Sequence, residues 1–184
     1  MAIDGPLGWQ IRKAEVSDAQ ALALLAQATF LEAYAGLVPV ADMLAHGAAQ
    51  NSAAAFAKYL AEGATIWLAE AECTHAPLGF ALLCRSDLPE AEPGDIELRR
   101  IYVLQRCQGS GLAAVLIERA IASAAGHRRL VLGVNADNSR AQAFYRKHGF
   151  AIAGMRNFTV GTAEFHDYIY ARALTGAAHQ AAQA

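Results

Sequence analysis

The sequence predicts an α/β (α+β) fold in which helices pack on a mixed sheet, and three observations support this class. Hydrophobic residues make up 55% of the 184 residues and charged residues 17%, which is typical of a globular chain with a core. A strand-helix-strand-helix order, the pattern of a parallel strand pair, occurs only in the centre of the chain. On both flanks, short polar turns separate neighbouring strand-like runs, as in antiparallel hairpins.

The first third of the chain predicts one strand followed by helices. A strand-like run at residues 9–14 precedes a helix at residues 19–29, whose apolar side chains recur at helical spacing. Ser17 and Asp18 offer an N-cap to this helix. Residues 30–39 are expected to form a kinked or looped segment. Two weaker helical stretches follow at residues 41–47 and 52–61.

The rest of the chain alternates between strands and helices. Helices are predicted at residues 112–124 and 138–148, and Gly149 closes the second at a position that favours glycine. The first two and the last two strand-like runs of this part are expected to pair as hairpins. The runs cover residues 65–70, 78–84, 96–104, 130–134, 150–160 and 165–171.

Charge and composition exclude several classes of protein. A net charge of −2 and a pI near 6.3 argue against a nucleic-acid partner, which would require a basic face. Cys73, Cys84 and Cys107 are odd in number and lack metal-ligand spacing, and the histidines are scattered, so neither a disulfide framework nor a metal is expected. The sequence has no signal-peptide pattern and no apolar run of membrane length, which predicts a cytoplasmic protein without a membrane partner.

No linker or repeat divides the chain. We therefore expect a single domain at residues 1–174. Small and polar residues dominate residues 175–184, which are expected to form a flexible tail.

A glycine-rich turn lies between the strand at residues 96–104 and the helix at residues 112–124. Glycines allow the backbone to approach a ligand closely, and a helix N-terminus offers unpaired N–H groups with a positive dipole end. Such a turn suits a pyrophosphate, although a plain tight turn between a strand and a helix has the same composition. The segment comprises Gln108, Gly109, Ser110, Gly111, Leu112 and Ala113.

Two other nucleotide motifs overlap this turn. Gly109, Gly111 and Ala114 fit the dinucleotide fingerprint, but no Asp or Glu closes the following strand about 20 residues further on. Only one further strand-helix unit remains, so a second nucleotide-binding half cannot be built. A Walker A loop is excluded because no Gly-Lys-Ser/Thr follows. A nicotinamide enzyme is therefore the weaker hypothesis.

The motifs between residues 96 and 150 together resemble the GCN5-related N-acetyltransferase (GNAT) superfamily. Its signature, Gln/Arg-x-x-Gly-x-Gly/Ala after the fourth strand, is matched by Gln108, Gly111 and Ala113. An overlapping register that begins at Arg106 also fits the letters, but the Gln108 register leaves Leu112 facing the core. The other matching segments are Ile96-Glu97-Leu98-Arg99-Arg100-Ile101-Tyr102-Val103, Asn138, and Tyr145-x-x-x-Gly149-Phe150.

The resemblance implies a fold and an activity. The fold is a mostly antiparallel sheet of seven strands with splayed parallel strands at its centre and helices on both faces. The activity is that of an acetyl-CoA-dependent N-acetyltransferase, which moves the acetyl group to a primary amine by direct attack in a ternary complex. Dimers are frequent in the superfamily, so a homodimer is an open expectation.

By the same resemblance, several residues bind acetyl-CoA. The backbones of Ile101, Tyr102 and Val103 pair with the pantetheine arm like an added strand, and the glycine-rich turn holds the pyrophosphate. The side chain of Asn138 hydrogen-bonds to the cofactor. An alternative for Asn138 is a helix N-cap, a position that favours this residue type.

The resemblance also implies two catalytic residues. Tyr145 supplies a proton to the departing thiolate of CoA, whose conjugate thiol has an ordinary pKa of about 8.5. From the spacing, we expect Phe144 to carry the core contact and Tyr145 to lie off the core face. Glu97 takes the proton of the amine, on a strand face shared with Arg99 and Ile101. The alternatives are a water chain as base and a structural pair between Glu97 and an arginine.

The acceptor site is implied to lie between residues 29–34 and residues 157–167, with Phe30, Tyr34 and Glu97 as candidate contacts. The pattern is most similar to bacterial small-molecule N-acetyltransferases of the spermidine/spermine type. An acidic run could attract a polyamine, although it could equally be a solvated loop. Alternatives are a protein N-terminus or lysine as acceptor, and an acyl-CoA-binding module without turnover. The acidic run comprises Asp87, Glu90, Glu92, Asp95 and Glu97.

Overall fold

The computed structural model describes residues 8–174, so the predicted flexible tail at residues 175–184 lies outside the described residues. The chain order is one strand, three helices, three strands, and then a helix, a strand, a helix and a final hairpin. The elements are β1 Trp9–Lys13, α1 Ala19–Tyr34, α2 Val40–Gln50, α3 Ala53–Ala61, β2 Thr65–Ala71, β3 Pro77–Arg85, β4 Ile96–Val103, α4 Leu112–Ser123, β5 Arg129–Asn135, α5 Ser139–Lys147, β6 Ala151–Val160 and β7 Ala163–Ala173.

All seven strands belong to one sheet in the order β1-β2-β3-β4-β5-β7-β6. Every neighbouring pair is antiparallel except β4 and β5, which run parallel at the centre. Consecutive strands β2 and β3 form one hairpin, and β6 and β7 form another. The predicted fold class and both hairpins are therefore confirmed.

The central parallel pair is held together at one end only. Ile96 pairs with Leu130 and Glu97 pairs with Val131, and beyond these two residue pairs β4 and β5 separate. Each strand continues for several more residues, β4 to Val103 and β5 to Asn135. A wedge therefore opens in the middle of the sheet, with unpaired strand edges on both sides.

A β-bulge in β4 changes which face its side chains occupy. Leu82 of β3 pairs with Arg100, whereas the next residue, Leu83, pairs with Leu98, so Arg99 is the extra residue. The guanidinium groups of Arg99 and Arg100 both lie over the ring of Tyr59 in α3, at 6.0 and 5.8 Å from its centroid. The alternation of side chains is thus interrupted between these two arginines.

This bulge corrects one prediction. Ile101 was expected to share a face with Glu97 and Arg99, but it packs with Leu98 in the core on the α4 side of the sheet. Strict alternation holds only for a regular strand, and the extra residue reverses the direction of all the side chains that follow it.

The core has two parts, one on each face of the sheet. On one face, α4 buries Leu116 and Ile117 against β2, β3 and β5. On the other face, α1 buries Leu22 and Leu25, and α3 adds Phe56, which packs edge-on against Phe80 of β3. Each fully buried Leu, Ile or Phe contributes roughly 1.5–3 kcal/mol relative to its exposed state. The two faces together fix the position of β4.

The predicted end of α1 is wrong, and its predicted N-cap is confirmed at Asp18 in position only. The helix continues to Tyr34 instead of ending at Thr29, because Phe30 and Tyr34 lie one turn apart and their rings pack at 4.6 Å. Asp18 makes no side-chain cap to α1. Its carboxylate accepts the N–H of Glu15 and pairs with Arg12 at 2.7 Å, so its oxygens are used in the turn before the helix. In the described part of the chain, no helix is long and apolar enough to cross a membrane.

Candidate functional site

A cavity of about 1120 Å³ occupies the wedge between β4 and β5. Its walls come from β4, the end of β5, α1, the start of α5 and the β6–β7 hairpin. The structure therefore brings residues from most of the predicted motifs to one place. The predicted site residues that line the cavity are Phe30, Tyr34, Glu97, Ile101, Tyr102, Val103, Gln108, Asn138 and Tyr145.

The glycine-rich turn follows Gln108 at the edge of this cavity and leads into α4. Gly109 and Gly111 have φ angles of +83° and +87°, a left-handed conformation in which glycine is favoured. Among the described residues, the N–H groups of Gly109, Gly111 and Ala113 have no acceptor, so they are available to phosphate oxygens. The side chain of Leu112 is fully buried in the core, and only its backbone can contact a cofactor.

The edge of β4 offers backbone groups to the wedge at alternate residues. The N–H of Leu104 donates to the carbonyl of Leu78 in the segment preceding Gly79, at 2.9 Å. By antiparallel alternation, the backbone groups of Tyr102 also point to β3, whereas those of Ile101 and Val103 point into the wedge. The predicted pairing with a pantetheine arm is thereby narrowed to Ile101 and Val103, and Tyr102 contributes to the wall of the cavity.

Tyr145 lies between the core and the cavity. Its side chain is only 8% exposed, and its ring packs against Phe150 and Tyr170 at centroid distances of 5.8 and 6.3 Å. The expectation that Phe144 carries the core contact and Tyr145 points elsewhere is wrong, because Tyr145 is the more buried of the two. The helical spacing alone did not show which of the two adjacent rings faces the sheet.

The hydroxyl of Tyr145 is available to a ligand. It makes no hydrogen bond to another described residue, and no fully buried side-chain oxygen in residues 8–174 lacks a partner. The hydroxyl therefore reaches the cavity. Burial raises the pKa of this phenol above its ordinary value, and the nearby Tyr102 adds to the shift. Tyr145 consequently remains protonated at neutral pH and can donate a proton.

Glu97 is 3% exposed and is already partnered on one oxygen. Its Oε2 accepts from Arg99 at 2.8 Å and from the N–H of Asp87 at 3.3 Å, which matches the structural alternative for this residue. Its Oε1 accepts no hydrogen bond from the described residues. Glu97 can therefore hold Arg99 with one oxygen and still present the other to an amine or to a water molecule.

Asn138 caps α5. Its Oδ1 accepts the N–H of Ala141 at 2.9 Å, as the N-cap alternative requires. Its amide NH₂ donates to no residue in the described part of the chain, and Asn138 lines the cavity. Asn138 can therefore cap α5 with its Oδ1 while its amide stays available for the predicted contact with a cofactor.

Replacing Asn138 separates these two roles. We expect Asn138→Ala to lower stability by about 1 kcal/mol through loss of the cap and to raise the KM for acetyl-CoA. Asn138→Ser keeps a capping oxygen but lacks the amide, so stability is retained while the KM still rises. Melting temperatures and acetyl-CoA saturation curves of both variants test this. A normal KM in Asn138→Ser would leave the residue with the cap alone.

A hydrogen-bonded link, which we call the arch, joins α2 and the β6–β7 hairpin, two of the elements that line the cavity. The carboxylate of Asp42 in α2 accepts both the N–H and the hydroxyl of Thr162 at 3.0 Å, which ties α2 to the turn between β6 and β7. Beneath this link, a third apolar cluster joins the C-terminal half of α1 to the hairpin. Its members include Phe30, Tyr34, Val38, Phe158, Val160 and Phe165.

Four of the five carboxylates in the acidic run pair with arginines, and these four share three arginines. Asp95 pairs with Arg129 at 2.6 Å, and Glu92 pairs with Arg128 and Arg129. Asp87 pairs with Arg99, as Glu97 does. The Glu90 carboxylate has no partner among residues 8–174, so the run keeps part of its negative charge, and its attraction for a polycation stays a prediction. The sequence separated these partners by up to 36 positions, so their pairing could not be read from local spacing.

Two adjacent residues of the final hairpin, His166 and Asp167, differ in whether they line the cavity. His166 is exposed and contacts the side chain of Asn157, so it does not line the cavity. Asp167 is buried, lines the cavity and pairs with Arg156 at 3.1 Å. The Arg156 guanidinium lies directly over Gly133 of β5, where an added Cβ would come within 2.8 Å of its Nη2. Gly133 therefore makes room for this ion pair.

Several residues that line the cavity were not predicted as site residues. Arg100, Arg156, Tyr59, His46 and Asn51 come from separate elements, and no motif connects them. Their common location depends on the wedge and on the bulge in β4. Within residues 8–174, no cluster of three or more His, Cys, Asp or Glu is placed to hold a metal ion.

Comparison with known proteins identifies relatives of the whole arrangement. The sequence profile of the acetyltransferase (GNAT) family matches residues 38–150. An N-acetyltransferase of Mycobacterium bovis is 37% identical over 161 residues, which cover 86% of this chain and 99% of that protein. The match to this relative thus includes nearly its full length.

Solved structures show the same fold. The PaiA N-acetyltransferase of Thermoplasma acidophilum, crystallised in complex with coenzyme A, superposes with a TM-score of 0.73 at 20% identity, over 91% of this chain and 99% of that one. The ribosomal-protein-S18-alanine N-acetyltransferase of Escherichia coli superposes with a TM-score of 0.69 at 21% identity, over 94% and 98% of the two chains. These likenesses concern the fold, since the sequence identities are low.

Proposed function

Because the chain belongs to the acetyltransferase (GNAT) family, and is therefore an N-acetyltransferase, we propose that it acetylates the primary amine of a small molecule by direct attack in a ternary complex with acetyl-CoA. The observation that carries this proposal is the wedge between β4 and β5. Free backbone groups line one side of it, and the hydroxyl of Tyr145 faces it from the other.

The residues of the wedge suit the binding of acetyl-CoA. The open backbone groups of Ile101 and Val103 can pair with the amides of the pantetheine arm. The free N–H groups around Gly109 and Gly111 can hold the pyrophosphate, and the amide of Asn138 is within the same cavity. Acetyl-CoA supplies an activated carbonyl, in the form of a thioester.

The same residues can serve the chemistry. An amine with a pKa of about 10.4 is mostly protonated at neutral pH, so Glu97 Oε1, directly or through water, takes its proton. The N–H of Val103 points into the wedge and stabilises the negative charge that develops on the carbonyl oxygen. Tyr145 then donates its proton to the departing sulfur.

The arch favours a small acceptor over a protein. Asp42 and Thr162 join α2 to the hairpin above the aromatic residues of the cavity. An extended peptide would need an open groove at this position, whereas a small molecule needs only the enclosed cavity. A polyamine remains within the proposal as one such amine, supported by the similarity of the motifs of this chain, while four of the five carboxylates in the acidic run are already paired with arginines.

Thiol release from acetyl-CoA, measured with purified protein and a panel of amines, tests the proposed function. The panel contains spermidine, spermine, amino acids, aminoglycosides and short peptides. We expect release that depends on one class of small amine and exceeds the rate without an acceptor. Release only with peptides would overturn the small-molecule assignment. An absence of release with every amine, combined with a higher melting temperature in acetyl-CoA, would identify a binding module without turnover.

A further inference from the structure

We propose that the acceptor carries a carboxylate or a similar anion in addition to its amine, and that Arg100 is the residue that binds this anion. The inference rests on the proposed function and narrows its acceptor to amino-acid-like amines. It follows from three observations. Arg100 lines the cavity, it has no carboxylate partner among residues 8–174, and the N–H groups that Asn51 does not use face the cavity.

Arg100 is fixed in place by its neighbours. Its Nη1 donates to Oδ1 of Asn51 at 2.7 Å, and Asn51 is itself buried between α2 and α3. Its guanidinium lies over the rings of Phe56 and Tyr59, at 5.6 and 5.8 Å from their centroids. The bulge in β4 directs the side chain onto this face of the sheet. The guanidinium is therefore held in one orientation before any ligand binds.

Arg100 has no carboxylate partner among residues 8–174. Three arginines line the cavity, and two of them have carboxylate partners: Arg99 pairs with Glu97 and Asp87, and Arg156 pairs with Asp167. Within residues 8–174, no Asp or Glu pairs with Arg100. In a partly enclosed cavity the reduced dielectric strengthens the attraction of this cation for an anionic ligand.

The guanidinium also has hydrogen-bonding capacity left. Asn51 occupies one N–H, and no other acceptor in the described residues bonds to the rest. Since no fully buried side-chain nitrogen of these residues lacks a partner, the remaining N–H groups face the cavity. A planar fork of free N–H donors matches the two oxygens of a carboxylate, which a single ammonium or hydroxyl cannot match as well.

A neighbouring histidine responds to the same charge. His46 lines the cavity and stacks on Phe30 at 4.4 Å. Burial, and next the positive charge of Arg100, hold the pKa of His46 below its ordinary value. The positive charge of Arg100 therefore reaches His46, and close to the guanidinium an anion is attracted while a second ammonium group is repelled.

Matched pairs of amines that differ only by a carboxylate test the inference. Lysine is compared with cadaverine, and phenylalanine with phenethylamine, by thiol release from saturating acetyl-CoA. We expect kcat/KM to be at least about tenfold higher for the carboxylate-bearing member of the pair that is accepted. Arg100→Gln should remove this preference by raising the acceptor KM, with the KM for acetyl-CoA unchanged. Arg100→Lys should retain part of it, because the charge remains but the fork is lost.

Arg119→Gln is the matched control, since Arg119 is exposed on α4 and does not line the cavity. It removes the same charge and should leave the preference intact. If amines without a carboxylate are acetylated equally well or better, and Arg100→Gln leaves their rates unchanged, the inference is wrong while the proposed function stands.

A binding measurement tests the proposed role of Arg100 without requiring the protein to turn over an acceptor. Calorimetric titration of the CoA-saturated protein compares two pairs of acetylated products. N-acetyl-lysine is compared with N-acetyl-cadaverine, and N-acetyl-phenylalanine with N-acetyl-phenethylamine. Tighter binding of the carboxylates in the wild-type protein, lost in Arg100→Gln, would support the inference even if no acceptor in the activity panel were found. Equal binding of the two sets, or no binding of any carboxylate, would overturn it.

Discussion

Tyr145→Phe is expected to lower kcat by about 10²–10⁴-fold while acetyl-CoA still binds, because the substitution removes one hydroxyl and little else. The ring keeps its contacts with Phe150 and Tyr170, so the core is preserved. The hydroxyl faces the cavity without a protein partner, so its loss leaves no buried donor unpaired. Steady-state kinetics and the rise in melting temperature with acetyl-CoA measure the two properties separately.

The pH dependence of kcat follows from the same residue. Burial raises the pKa of Tyr145 above the ordinary value for a phenol. The acid form is required for donation and exists below this pKa, so loss of the proton would lower kcat only at pH values above about 10. Below that, we expect kcat of the wild-type protein to stay level or to rise as the amine loses its proton. A fall in kcat between pH 7 and 9 would contradict Tyr145 as the acid.

Tyr170→Phe is the control for this experiment. Tyr170 is fully buried beside Tyr145, but its hydroxyl bonds to Arg146 at 3.1 Å and does not line the cavity. We expect a loss of about 1 kcal/mol of stability and an unchanged kcat. Equal losses of turnover in both variants, or a parallel loss of turnover and acetyl-CoA affinity in Tyr145→Phe, would show that Tyr145 acts through packing.

The second large effect is expected at Gly79, which does not line the cavity. Gly79 of β3 lies opposite Val103 of β4, in a pair where the strands approach most closely. A Cβ at this position would lie 2.8 Å from Val103 Cγ1, 3.0 Å from the carbonyl oxygen of Tyr102 and 3.2 Å from Leu116 Cδ1. Carbon atoms in contact prefer about 3.5–4.0 Å, so β4 or α4 must move to admit a side chain.

Gly79→Val is therefore expected to act on both stability and catalysis. Overpacking of this kind costs about 1–3 kcal/mol. The displaced residue is Val103, whose N–H we assign to the carbonyl oxygen, and small misplacements of such groups lower kcat/KM by up to about 10²-fold. Chemical denaturation gives the change in the free energy of unfolding, and thiol release at 25 °C, where the variant remains folded, gives the change in kcat/KM.

Gly47→Ala provides the opposite case in the same protein. Gly47 lies within α2, and an added Cβ would meet nothing within 4 Å. Here the methyl group should raise stability by about 0.5–1 kcal/mol, because alanine favours the helix, and leave kcat/KM unchanged. If Gly79→Val were as harmless as Gly47→Ala, the position of β4 would not depend on the close packing beneath it.

Local patterns in the sequence were sufficient for much of the fold. The glycine-rich turn before α4, the periodic apolar residues of α4 and the hairpins at both ends are each encoded within a few neighbouring residues, and all were predicted. The ends of the elements shifted by one to several residues, most of all in α1, where Phe30 and Tyr34 find partners in the distant hairpin.

The chemistry of the site depended more on distant contacts. Arg99 is an extra residue because Leu82 and Leu83 of β3 pair with Arg100 and Leu98, on either side of it. The bulge therefore depends on the pairing of two strands and cannot be predicted from the sequence of β4 alone. The acidic run looked free because its arginine partners lie far along the chain or beyond a turn. For the same reason the sequence did not suggest the role that we propose for Arg100, since its lack of a carboxylate partner within residues 8–174 is visible only when the cavity is assembled.

The two residue pairs that join β4 to β5 also determine how the enzyme can deform. The sheet consists of two parts, a four-stranded part from β1 to β4 and a three-stranded part from β5 to β6. Only the pairs made by Ile96 and Glu97 join the two parts. A small twist of one part against the other widens the opening without breaking a ladder of backbone hydrogen bonds, so its cost falls mainly on side-chain packing. Substitutions in the apolar layer that packs against Ile96 are therefore expected to change the width of the opening, and with it the size of amine that the proposed acceptor site admits, with no change to the proposed catalytic residues.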